Sequence, residues 1–87
     1  MPHEVTKKQL AEIKAKSTEW GIKEPFANEW HYVLPGDFVR NFSFQGTLCR
    51  WSGKDTPMVI RTYQPEDGRD IDLYIGQCDE CGRVYWN

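Results

Sequence analysis

Ile71-Asp72-Leu73-Tyr74-Ile75-Gly76-Gln77-Cys78-Asp79-Glu80-Cys81-Gly82-Arg83-Val84-Tyr85-Trp86 is the stretch that decides how this chain folds. Ile71, Leu73 and Ile75 alternate with Asp70, Asp72 and Tyr74, the two-residue period of a strand with one wet face. Cys78 and Cys81 follow, three positions apart, with Gly82 directly after them. Residues 83–86 then return to a β-forming composition. The pattern predicts two antiparallel strands joined by a tight turn that carries both sulfurs on one side. Gly82 is expected at positive φ, where a residue without Cβ meets no steric penalty. Asp70 and Asp72 share a face and read as the solvated side of their strand rather than as an acid–base pair.

Toward the N-terminus, residues 58–63 form a further β-rich run, with turn-forming residues at 52–57 and 64–70. Phe42, Phe44 and Leu48 share one strand parity, while Ser43, Gln45, Thr47 and Cys49 share the other. The alternation places Phe42, Phe44 and Leu48 with Ile71, Leu73 and Ile75 on the apolar face of the sheet. Gly46 interrupts this run as a bulge or a turn. Leu34-Pro35-Gly36-Asp37 carries the Pro-Gly pair of a type II turn between strands at 30–34 and 38–44. Before residue 29 the period is helical. Thr6 and Gln9 have capping-box spacing, Leu10, Ile13, Ser17 and Trp20 lie on one stripe, and Gly21 stands where a left-handed helix stop belongs. The expected fold is α+β in a single domain, residues 1–87. One N-terminal helix (about 7–20) packs on an antiparallel β-meander or small partly closed barrel of five to six strands (about 29 to 86).

Composition narrows the function classes. Aromatic residues make up 14% of the chain, which argues against disorder. No apolar run approaches the roughly 20 residues of a membrane span, so no membrane partner is expected. Met1-Pro2-His3-Glu4 leads into a lysine-rich helix and not into a signal-peptide core. Three cysteines make a poor disulfide framework and a better metal or redox pattern, which points to a reducing, cytoplasmic setting. Residues 1–23 hold five lysines against three glutamates, whereas residues 65–87 hold six acidic residues against two arginines. A phosphate backbone is repelled by the acidic end, so nucleic acid is disfavoured and a protein partner favoured.

Residues 77–86, with C-x-x-C-G-x-x-aromatic joining two strands, resemble the knuckle of a zinc ribbon, which implies zinc held by paired thiolates. No second C-x-x-C accompanies it. Pro35-Gly36-Asp37-Phe38-Val39 resembles the strand start of SH3-like barrels. Three readings of the cysteines stand side by side. They are a metal-free turn, a zinc knuckle, or a redox pair. The redox reading is opposed by the strand after the motif, since a reactive C-x-x-C draws its thiolate stability from a helix N-terminus, and by the negative charge of Asp79 and Glu80. For zinc, Cys78 and Cys81 need further ligands. Cys49 converges with them if its strand is a neighbour, and His31 or water completes the set. A homodimer sharing one metal between two C-x-x-C pairs is the alternative.

The chain has no Gly-rich phosphate loop, nucleophile elbow or H-E-x-x-H pair, and Ser17, Ser43 and Ser52 have no histidine at a suggestive spacing. The sequence therefore points away from an enzyme and toward a small protein-binding module, a regulator or inhibitor, with the C-x-x-C hairpin as structural staple. The alternatives are a thiol redox protein using Cys78 and Cys81, and a nucleic-acid accessory protein using the lysine face of the helix.

Overall fold

The computed structural model describes residues 5–23, 30–66 and 68–87. The capping box forms as the sequence predicts. The Thr6 hydroxyl accepts the Gln9 N–H at 3.1 Å and the Gln9 side chain accepts the Thr6 N–H at 3.2 Å. Helix α1 spans Lys7–Lys16 and tightens into a 3₁₀ turn over Ser17–Trp20, which ends at Gly21 with φ of 90°. Ile13 is fully buried, and Leu10 and Trp20 are half-buried beside it. The apolar stripe thus docks the helix, with about 2 kcal/mol of burial from Ile13 alone.

Among the described residues there are seven strands in two sheets. In chain order they are β1 (Trp30–Tyr32), β2 (Val39–Arg40), β3 (Gln45–Leu48), β4 (Asp55–Pro57), β5 (Val59–Tyr63), β6 (Ile71–Gln77) and β7 (Val84–Trp86). The main sheet has the order β1-β7-β6-β5, antiparallel except that β1 runs parallel to β7. The smaller sheet is antiparallel, in the order β2-β3-β4. The fold is α+β, but it is neither a single meander nor a closed barrel. Two sheets form because the chain leaves β4 and enters β5 through Met58, whose N–H still bonds Gln45 of β3 at 2.7 Å.

The alternation on β6 holds. Leu73 and Ile75 are buried and Ile71 half-buried against Ile13, Ile22, Val84 and Trp86 on the helix side, while Asp70 and Asp72 are exposed. Tyr74 and Tyr85 point the other way, into a second cluster with Val33, Cys49, Met58 and Cys78. β7 is therefore buried on both faces. Helix, main sheet and smaller sheet lie in three layers.

The parity predicted for residues 42–48 fails at Phe42 and Leu48, although Phe44 is half-buried between exposed Ser43 and Gln45. Phe42 is fully exposed and Leu48 largely so, while Thr47 and Cys49 face inward. Phe42 belongs to a turn in which the Asn41 carboxamide accepts the N–H groups of Ser43 and Phe44 at 3.0 and 2.8 Å, so strand alternation does not reach it. Gly46 is neither bulge nor turn. It lies within β3, where a Cβ would fall 2.1 Å from the Thr56 carbonyl oxygen. Residues 35–37 form a 3₁₀ turn in which Asp37 N–H bonds the Leu34 carbonyl at 2.9 Å, and Gly36 lacks the positive φ that a type II turn demands. Residues 55–57, expected in a loop, form β4. The start near residue 29 and the loop position at 67 lie outside the described residues.

Candidate metal centre

The β6–β7 turn forms as its composition requires. The Cys78 N–H donates to the Arg83 carbonyl and the Gly82 N–H to the Cys78 carbonyl, both at 2.9 Å, with Gly82 at φ of 80°. Gln77 braces the turn from behind, donating to the carbonyls of Gly82 at 2.9 Å and Lys23 at 2.8 Å and accepting the Lys23 N–H at 2.9 Å.

Cys49-Arg50-Trp51-Ser52-Gly53-Lys54 repeats this turn bond for bond in the β3–β4 connection. The Cys49 N–H donates to the Lys54 carbonyl and the Gly53 N–H to the Cys49 carbonyl, again at 2.9 Å, with Gly53 at φ of 72°. The flanking pairs correspond as well, Leu48 with Asp55 and Gln77 with Val84. The chain thus holds two knuckles on two hairpins, the second carrying serine where the first carries Cys81. The spacing C-x-x-S-G-K beside C-x-x-C-G-R is the signal that a search for cysteines alone passes over.

The two knuckles face each other. The sulfurs of Cys49, Cys78 and Cys81 lie within 4.8 Å of one another. Cys49 Sγ is 3.5 Å from Cys81 Sγ, and Ser52 Oγ is 3.2 Å from Cys78 Sγ. His31, the other sequence candidate, is not in this group. Its ring packs on Trp51 and Tyr85, with centroids 4.8 and 5.6 Å away. The guanidinium of Arg83 lies 4.2 Å from the Trp51 ring centroid. Lys54 and Glu80, one from each knuckle, form an exposed ion pair at 3.5 Å.

Electrostatics prepare the sulfurs unequally. Burial pushes the Cys49 thiol up, but the Ser52 and Tyr85 hydroxyls and the N–H groups of Ser52 and Trp51 outweigh it and bring it down to about 6. At Cys78 burial is likewise outweighed by the Ser52 hydroxyl and the N–H groups of Cys81 and Glu80, and the thiol is lowered. Cys81 is raised, by burial first, despite the backbone and side chain of Arg83, with the neighbouring thiols adding to the rise. Tyr85 is raised to about 12 by burial and by its bond to Cys49. Donors converging on sulfur favour the thiolate, the form that binds metal.

Compared with protein-family models, with curated proteins and with solved structures, the chain finds no match. The arrangement of its own residues carries the functional reading.

Proposed function

We propose that this protein is a small binding module whose two facing knuckles hold one structural zinc ion. The three-thiol cluster carries the reading. A zinc–sulfur bond of about 2.3 Å sets the edge of a tetrahedron at about 3.8 Å, so sulfurs this close suit one mononuclear ion. Soft thiolates select zinc over the oxygen-preferring cations. All three sulfurs come from one chain, which supports one ion per chain over a metal shared across a dimer. Three thiolates exceed the charge of zinc by one, and Arg83 beside Cys81 offsets the remainder.

The role of the metal is to clamp one hairpin of each sheet to the other, in a domain whose core is too small to do so cheaply. Binding to a protein, as a regulator or inhibitor, is the reading for the whole chain. The acidic balance of residues 65–87 supports it. Free thiols at this spacing suit the reducing cytoplasm.

Native mass spectrometry of protein purified without chelator tests the metal, with one zinc per chain expected and none in the Cys78→Ser/Cys81→Ser variant. A metal-free native protein whose melting the double variant leaves unchanged would sink the zinc reading. Single-stranded DNA at about 0.15 M salt should not bind. Binding that weakens steeply with salt would move the function to the lysine face of α1.

A further inference from the structure

We infer that Ser52 supplies the fourth vertex of this centre, so that zinc sits in a three-sulfur, one-oxygen site and not in a three-cysteine site completed by His31. The inference rests on the zinc reading above and concerns the one position that the cysteines leave open.

The two knuckles correspond position for position, Cys49 with Cys78 and Ser52 with Cys81. Each knuckle has the same two backbone bonds and the same positive-φ glycine. In the β3–β4 knuckle, Cys49 Sγ accepts the Ser52 N–H at 3.5 Å and Ser52 Oγ accepts the Lys54 N–H at 3.2 Å.

The cross-knuckle edges follow the same correspondence. Cys49 to Cys81 is 3.5 Å, and its counterpart, Ser52 to Cys78, is 3.2 Å. A tetrahedron with a zinc–sulfur bond of about 2.3 Å and a zinc–oxygen bond of about 2.0 Å has a sulfur–oxygen edge of about 3.5 Å. The serine oxygen thus stands where a fourth ligand belongs, with its backbone donor already in place. His31 instead packs its ring on Trp51 and Tyr85.

An oxygen vertex has a consequence for the metal. A hydroxyl is a harder and weaker zinc ligand than a thiolate, so the centre exchanges its ion more readily than a four-thiolate site would. Ser52 is therefore a setting of affinity as well as a ligand.

The test is zinc affinity by competition with a chromophoric chelator, paired with the visible and near-ultraviolet spectrum of the cobalt(II) form. Ser52→Cys is expected to tighten zinc by at least about tenfold and to enlarge the thiolate-to-cobalt charge-transfer band. Ser52→Ala is expected to weaken zinc by about tenfold and to shift the cobalt d–d bands, while His31→Ala leaves both readouts as in the unaltered protein. One zinc per chain with affinity and spectrum indifferent to both Ser52 variants would overturn the inference and leave the three-cysteine centre standing. A spectrum that changes in His31→Ala and not in Ser52→Ala would overturn it in favour of the imidazole. Absence of zinc from every form would instead remove the metal reading itself.

Discussion

The Tyr85 hydroxyl donates to the Cys49 sulfur at 3.2 Å and accepts the Arg50 N–H at 3.1 Å, so one phenol ties the β3–β4 knuckle to an inner strand of the main sheet. Both bonds are lost in Tyr85→Phe, and the Arg50 N–H loses its acceptor. The variant should cost about 1–2 kcal/mol in urea unfolding and weaken zinc retention, since groups that orient metal ligands tune affinity about tenfold or more. Unchanged stability and unchanged metal release would show that the hydroxyl does not position Cys49. Tyr85 stands in the sequence as the aromatic of C-x-x-C-G-x-x-aromatic. Its role toward Cys49 was not legible there, because that sulfur lies in a distant hairpin.

At the scale of elements, α1 is held by a narrow stripe. Ile13 is fully buried among Leu73, Ile75 and Val84, whereas Leu10 only flanks this cluster. Ile13→Ala should therefore cost about 3 kcal/mol and Leu10→Ala about half as much, read as shifts in the denaturant midpoint. Equal costs at the two positions would mean that the helix sits differently on the sheet. The capping box, the stripe and the glycine stop were all legible because they depend on neighbours within four residues. The alternation on β6 was legible for the same reason. The parity of residues 42–48 was not. It rested on hydrophobicity, whereas the inner face of β3 is taken by Thr47 and, just beyond it, Cys49, with Leu48 left outside.

For the whole molecule, the metal-free protein should show its chemistry in its pH dependence. Cys49 is lowered from 9.0 to about 6, and Cys78 is lowered too, so between those values the unfolded chain binds more protons than the native one. Native stability must then rise with pH from about 6 to about 9 and lose this contribution below about 6. Cys81, raised from 9.0, and Tyr85, raised from 10.0 to about 12, act with the opposite sign above their ordinary values, so stability should turn downward at higher pH. Thermal midpoints of chelator-treated, reduced protein across this range check the sign. A flat or falling profile between pH 6 and 9 would mean that the donors around Cys49 do not hold its thiolate.

Local order alone was enough to determine the helix and its caps, the β6–β7 hairpin, the positive φ of Gly82 and the pairing of Cys78 with Cys81, because each depends on residues adjacent in the chain. The sequence also brought Cys49 forward as a third thiol. Only the tertiary structure decided that the strands divide into two sheets, that β1 adds in parallel to β7, and that Ser52 stands opposite Cys78 while His31 stacks on Trp51 and Tyr85. The reason is one of range. Periodicity reports which side of its own strand a residue occupies, whereas the closing of two hairpins on one point depends on how separate sheets stack. That stacking rests on the contacts of buried Tyr85 and Met58, with half-buried Tyr74 packed beside them.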